Sequence, residues 1–92
     1  MITEEIDGKK GRYVLQTEAG EAEMTFSIAS EALRIVDHTG VPDTMRGTGA
    51  GRALVEHLVA DARKKGFKVV PLCPFVNAER RKHPDWAEVF QV

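Results

Sequence analysis

The segment "GAGRALVEHLVADARKKG", residues 49–66, changes the hydrophobic period of the chain and decides how the rest can fold. Apolar side chains recur at helical spacing, and charged side chains occupy the other positions; the apolar stripe comprises Ala50, Leu54, Val55, Leu58, Val59 and Ala62. This spacing predicts an amphipathic helix. Lys64 and Lys65 suit the negative end of a helix, and Gly66 is placed to end it. The sequence therefore predicts a long helix over about 50–65 with one buried face.

Alternating segments precede this helix. Residues 12–28 hold two of them around Gly20, and the second places Ala22, Met24, Phe26 and Ile28 on one face. This pattern predicts a half-buried antiparallel hairpin. Residues 33–41 predict a third strand, which Pro42 ends because proline cannot donate to a ladder.

A short apolar strand is predicted after the helix, at residues 67–73, and a second helix begins at Pro74. Because the connections on both sides of the long helix are short, a right-handed crossover makes the strands at 33–41 and 67–73 parallel. Trp86, Val89 and Phe90 are expected to close the core. The predicted class is α/β in the α+β sense: a mixed, mostly antiparallel sheet of about four strands, with two main helices, in a single domain over residues 1–92.

Composition excludes several classes of function. The formal net charge is −1, from 13 basic and 14 acidic residues, so no global field favours nucleic acid or an anionic membrane. The single cysteine excludes an internal disulfide and a four-thiolate zinc site. The three histidines lie far apart, so no metal is expected, and His57 is predicted on the solvated face of the long helix. The acidic start and lack of a long apolar run favour a cytoplasmic location.

The glycine-rich turn before the helix predicts an anion site. It fails the P-loop pattern, because Gly51 is followed by Arg52 and alanine, and it fails the dinucleotide fingerprint, which requires glycine at 52. What remains is Arg46-x-x-Gly49-x-Gly51 at a helix start. Main-chain N–H groups there can surround a pyrophosphate, with added charge from Arg46 and Arg52. A glycine-rich connection that binds nothing is the alternative.

These residues resemble a known motif. Arg46-x-x-Gly49-x-Gly51 is similar to the R/Q-x-x-G-x-G/A sequence with which GCN5-related N-acetyltransferases hold the pyrophosphate of acetyl-coenzyme A. More closely, "HTGVPDTMRGTGAG", "PLCPFV" and "RRKHPDW", within residues 35–92, resemble the short YidJ-like branch of that superfamily. The resemblance implies a compact fold whose parallel strands splay apart to admit the pantetheine arm.

The resemblance also implies an activity and a set of binding residues. It implies an N-acetyltransferase that moves acetyl directly from acetyl-coenzyme A to an unidentified amine of a small molecule or a protein. The alternative is a noncatalytic acyl-coenzyme A binding or interaction module. The residues implied in coenzyme binding are Thr39, Val41, Arg46, Gly47, Thr48, Gly49, Ala50, Gly51 and Arg52.

Catalytic roles fall on two candidates. His38 can accept the amine proton near neutral pH, or it is an ordinary strand histidine. Cys73 is a nucleophile near a helix start, a residue lining the thioester slot, or a small buried hydrophobe. Relatives often carry tyrosine where this chain has Glu79, so the group that protonates the coenzyme thiolate is unassigned. Asp37 and Glu79 are alternatives for binding a cationic amine.

Overall fold

The computed structural model describes residues 1–92 and has five strands and two α-helices. The strands are β1 (Ile2–Asp7), β2 (Lys10–Thr17), β3 (Gly20–Ser30), β4 (Leu33–Gly40) and β5 (Lys68–Pro71). The helices are α1 (Ala50–Lys65) and α2 (Pro74–Arg81), and two short 3₁₀ turns span Asp43–Met45 and Pro84–Trp86. The predicted α+β class is confirmed. Neither α-helix has the length and apolar content needed to cross a membrane.

The strands form one mixed sheet in the order β1-β2-β3-β4-β5. Neighbours from β1 to β4 are antiparallel, and β4 pairs with β5 in parallel, as predicted. The sheet has five strands where about four were predicted, because residues 2–7 form an additional one. That segment has little apolar alternation, and it pairs with β2 from Ile2↔Leu15 to Asp7↔Lys10 across a turn at Gly8. Main-chain pairing therefore forms this edge strand without a strong apolar face.

The core lies between the hairpin β2–β3 and α1. Met24 and Phe26 point into it and are at most 2% exposed, and Leu54 and Leu58 of α1 are fully buried. The helix ends where Gly66 adopts a left-handed backbone and donates its N–H to Ala62 O. These features follow the sequence pattern. His57, by contrast, is half-buried with its ring edge-on to Tyr13 at 5.0 Å, so its predicted solvated position is wrong.

The C-terminal segment covers the outer edge of β5. Val69 donates its N–H to Val89 O and accepts a hydrogen bond from the N–H of Gln91. Trp86, Val89 and Phe90 are buried, which confirms their expected place in the core. A sheet edge with unpaired main-chain groups invites pairing with other chains. Covering this edge leaves β1 as the outer strand open to solvent.

A buried guanidinium connects the sheet to α1. Arg34 of β4 is 7% exposed, and its guanidinium carbon lies 4.6 Å and 4.2 Å from the ring centroids of Phe26 and Phe67. Its Nη1 donates to Glu4 Oε2 at 2.8 Å and to the Tyr13 hydroxyl at 3.0 Å. Because an unpaired buried charge is costly, these partners are needed for this arginine to occupy the core.

Asp61 of α1 completes this polar cluster. Its Oδ2 accepts the Tyr13 hydroxyl at 2.6 Å, and its Oδ1 lies 3.2 Å from Lys65 Nζ. Burial raises the pKa of Asp61, but hydrogen bonds from Tyr13 and Lys65 and the nearby Arg34 charge outweigh it and hold the pKa below its ordinary value. The charged carboxylate is therefore more favourable in the folded state than in the unfolded chain.

We expect Asp61→Asn to lower the free energy of unfolding at pH 7 by about 2–3 kcal/mol, because Tyr13 and Arg34 lose a charged partner. The pKa of Asp61 is lower in the folded protein, so the unfolded state binds more protons between the two values. The contribution of the Asp61 carboxylate to the free energy of unfolding is complete above the unfolded pKa of about 4. It is lost as pH falls through the lower pKa of the folded state. Chemical denaturation at a series of pH values measures both effects.

The matched control is Glu56→Gln, which removes an exposed carboxylate from the same helix. We expect this control to keep the acid-induced loss of stability, whereas Asp61→Asn shows a shallower loss below pH 4. Equal acid sensitivity of wild type and Asp61→Asn would show that this carboxylate does not stabilise the fold.

Candidate functional site

The loop between β4 and α1 is shaped by two left-handed glycines and one buried anchor. Gly47 and Gly49 have φ angles of 76° and 80°, a region that other residues rarely adopt. Met45 is 1% exposed and fixes the loop to the core. Thr48 donates its hydroxyl to Met45 O at 2.6 Å, so that hydroxyl is used within the loop. The loop is therefore held in place while its glycine main chain lies at the surface.

The first turn of α1 presents main-chain donors that the protein does not use. Gly49 is the N-cap without a side-chain cap, and the first helical hydrogen bond runs from Ala53 N–H to Gly49 O at 2.9 Å. The N–H groups of residues 50–52 consequently have no acceptor in the preceding turn. No acidic side chain lies in this turn. A helix start of this kind carries partial positive charge and suits an anion.

The three glycines of the loop, Gly47, Gly49 and Gly51, have different roles. A β-carbon on Gly47 or Gly49 would meet no protein atom within 4 Å, so both open onto free space. A β-carbon on Gly51 would lie 2.8 Å from Cζ of Phe75 and 3.5 Å from Cγ2 of Val41. Gly51 thus leaves room for the Phe75 ring, which brings α1 and α2 into contact. The sequence pattern predicted an anion-binding role for all three glycines and did not indicate this contact.

The parallel pair separates beside this loop. β4 pairs with β5 only as far as Val36↔Pro71, and the N–H of Cys73 then donates to Val36 O at 3.0 Å. β4 continues to Gly40, so residues 37–40 have no strand beside them on that edge. Leu72, the next residue of this segment whose N–H would face β4, instead donates to Val70 O at 3.2 Å, so the ladder ends after Pro71. This geometry agrees with a splayed pair.

A cleft of about 500 Å³ lies between the end of β4, the loop, the start of α1 and α2. Eleven residues line it, and they include eight of the nine predicted in coenzyme binding; the exception is Thr48. Arg46 and Arg52 are exposed at its mouth, where they contact Asp43 at 3.2 Å and Glu56 at 3.8 Å. The structure therefore brings the predicted binding residues together around one concave surface.

The two predicted catalytic residues lie outside the lining of this cleft. Cys73 is 3% exposed, and its Sγ lies 3.3 Å from Oγ1 of Thr39, a lining residue. His38 is exposed and aligned with Thr25 of β3, whereas Thr39 is aligned with the core residue Met24. His38 is therefore on the face of β4 opposite Thr39. Its Nε2 lies 3.3 Å from the place where Gly40 would carry a β-carbon.

Three lining residues were not predicted to bind the coenzyme: Met45, Phe75 and Glu79. Phe75 and Glu79 are four positions apart in the predicted second helix, so they share a face of it. That spacing is the signal from which their pairing could have been predicted. Nothing in the sequence alone indicated that this face meets Gly51. A smaller hollow of about 260 Å³ beside β1 and β2 includes Arg12, Glu5 and Asp7 and shares no residue with this cleft.

Comparison with known proteins agrees with this geometry. The sequence model of the GCN5-related N-acetyl-transferase family matches residues 12–89. The fold is similar to the NMR solution structure of a GCN5-like protein from Staphylococcus aureus, with 25% identity and a TM-score of 0.69 over 97% of this chain and 87% of the other. No curated protein matches the chain. Because the family match spans most of the sequence, the chain belongs to the GCN5-related N-acetyltransferase family of enzymes.

Proposed function

We propose that the protein is an acetyl-coenzyme A dependent N-acetyltransferase of the short YidJ-like branch, with residues 1–92 forming one catalytic domain that transfers acetyl directly to an amine. One observation supports this most strongly. The free N–H groups at the start of α1 border the same cleft as the separated end of β4. An anion site beside a strand gap suits a ligand with a diphosphate at one end and a linear amide chain at the other.

The loop fits the diphosphate part of the coenzyme. A side chain at Gly47 or Gly49 would fill the open space above the loop, and its absence lets an anion approach the main chain. The N–H groups of residues 50–52 would donate to phosphate oxygens, and Arg46 and Arg52 would add charge-assisted hydrogen bonds. The Thr48 hydroxyl is already bonded to Met45 O, so Thr48 would contribute through its main chain.

The end of β4 fits the pantetheine arm. Because residues 37–40 lack a neighbouring strand on one edge, their main chain can pair with amides of a ligand lying in the gap. Acetyl-coenzyme A, when bound, supplies the acetyl thioester. A main-chain N–H at Thr39 or Val41 would polarise its carbonyl, which is the role of an oxyanion-hole donor.

Direct transfer is favoured over an acyl-cysteine. The thiol of Cys73 is buried and contacts the Thr39 hydroxyl, so it packs behind the cleft and not at its surface. His38 is the proposed acceptor of the amine proton, with water as the alternative. Gly40 has no side chain to separate the imidazole from the main chain at the end of β4. An amine at the gap would thereby come near a base.

Acetyl-coenzyme A at about 100 times its Kd should raise the free energy of unfolding by about 2.7 kcal/mol. We expect Gly49→Ala to abolish most of this increase, because the methyl group enters the space above the anion site and disfavours the left-handed backbone. Thermal unfolding with and without the ligand measures the effect, and free coenzyme A, ATP and NAD are compared in parallel.

The matched control is Gly66→Ala at the other end of α1. Gly66 also has a φ of 80° and open space at its β-carbon position, so both substitutions carry the same backbone penalty of about 1–2 kcal/mol. Only Gly49→Ala should lose the response to ligand. An undiminished response in Gly49→Ala would place the coenzyme away from the start of α1.

Replacing the cysteine separates the two transfer routes. Cys73→Ala should keep transfer from acetyl-coenzyme A to an amine within about tenfold of wild type, since packing is disturbed and no covalent step is removed. Release of free coenzyme thiol measures turnover. Mass spectrometry of wild type mixed with acetyl-coenzyme A alone should show no acetylated protein. An acetyl adduct on wild type that is absent from Cys73→Ala would establish the covalent route instead.

His38→Ala tests the proposed base. Loss of a general base lowers turnover by about 10²–10⁴-fold and removes the corresponding limb of the pH–rate profile. We therefore expect the profile of kcat/KM to flatten on its acidic side in this variant. His57→Ala is the control, because that histidine packs on Tyr13 away from the cleft. An unchanged profile in His38→Ala would assign the proton to water.

A further inference from the structure

One carboxylate faces the cleft without a hydrogen-bond donor from the protein. Glu79, near the end of α2, is the only acidic residue among those that line the cleft. Its side chain is 13% exposed, and its nearest cations are Lys82 Nζ at 3.8 Å and His83 Nε2 at 3.9 Å, both beyond hydrogen-bond distance. Neither oxygen is sealed from solvent. A carboxylate this buried normally has a partner, so the cleft side of Glu79 is open to a ligand donor.

The two arginines that line the cleft, Arg46 and Arg52, do not pair with Glu79. Arg46 lies 3.2 Å from Asp43, and Arg52 lies 3.8 Å from Glu56. Neither arginine lies within 4.0 Å of the Glu79 carboxylate, whose nearest cations are Lys82 and His83. A negative group in Glu79's position repels phosphate, so it has no part in holding a diphosphate. The cleft thus carries two kinds of binding group, donors at the start of α1 and one acceptor on α2.

The fold keeps Glu79 in this place. Phe75 lies one turn earlier on the same face of α2, and its ring packs where Gly51 has no side chain. The fully buried Val76 holds α2 against the core, and the Phe75 ring rests on the start of α1 beside the cleft. Asp37, the other acid considered for a cationic amine, has its Oδ1 occupied by the Thr25 hydroxyl at 2.7 Å. Asp37 also does not line the cleft. The structure therefore favours Glu79 over Asp37 as the acidic contact.

We propose that Glu79 binds the ammonium group of the acetyl acceptor, which makes positively charged primary alkylamines the preferred substrate class. This inference rests on the proposed transferase function and adds its acceptor specificity. An ammonium offers three N–H donors, and an ionised carboxylate is an acceptor only, so the two form charge-assisted hydrogen bonds. A neutral arylamine has no positive charge and gains little from Glu79.

The test compares Glu79→Gln with wild type, using acetyl-coenzyme A as donor. Spermidine is the charged acceptor, and aniline is the acceptor that is neutral at pH 7. We expect the KM for spermidine to rise by about 10–100-fold in Glu79→Gln, as for loss of a hydrogen bond to a charged group. The kcat for spermidine and the KM for aniline should stay within about threefold of wild type. Glu31→Gln, an exposed turn residue outside the cleft, is the matched control.

Ligand-induced stabilisation gives a second measurement that does not depend on turnover. Acetyl-coenzyme A should stabilise Glu79→Gln at least as much as it stabilises wild type, because removal of a negative charge does not weaken phosphate binding. A second variant, Glu79→Lys, should lose spermidine turnover and keep the response to the coenzyme. This charge reversal separates an electrostatic role from a packing role.

The outcomes separate the inference from the function on which it rests. Equal changes for spermidine and aniline, or an unchanged KM for spermidine in Glu79→Gln, would overturn the role of Glu79 while leaving the transferase intact. Loss of the coenzyme response in Glu79→Gln would also overturn it, since Glu79 would then support the fold of the cleft. A wild-type protein that neither binds acetyl-coenzyme A nor acetylates any amine would overturn the proposed function itself.

Discussion

The end of pairing between β4 and β5 is the constraint on which the candidate site depends. The N–H of Leu72 turns back to Val70 O and does not continue the ladder to β4, and Pro74 starts α2 two residues later. The chain therefore leaves β5 after a strand of four residues, while β4 continues to Gly40. One edge of β4 is left without a neighbour at the point where the loop to α1 begins. The turn at Leu72 and the start of α2 at Pro74 thus leave an open main-chain edge inside a small sheet.

The elements around this opening are joined by a polar cluster and by a buried loop residue. The polar cluster around Arg34 joins β4 to β1, to β2 and to the second half of α1. Near the first half of α1, the buried Met45 fixes the loop to the core. Beside Met45, Gly20 allows the β2–β3 turn to approach Thr44, whose Oγ1 would lie 2.9 Å from a β-carbon there. The segment that leads into the glycine loop therefore packs against both the core and the β2–β3 turn.

Sequence reasoning predicted the parts of this fold that have a strong local signal. The apolar period of α1, the alternation around Gly20 and the glycine motif each indicated an element or a binding role before the structure was considered. β1 was missed because its formation depends on pairing with β2 more than on its own apolar pattern. Arg34 was not recognised as a core residue, since no single-sequence pattern shows that Phe26 and Phe67 enclose its guanidinium.

The candidate site was predictable on one wall and not on the other. The start of α1 supplies main-chain N–H groups, and a glycine motif is enough to indicate them. The wall formed by α2 acts through side chains, and no pattern in the sequence alone shows that Phe75 of this helix meets Gly51. A side chain at Gly51 would compete with the tip of the Phe75 ring for the same space. A residue of the phosphate motif is thus also in contact with the opposite wall, which carries Glu79.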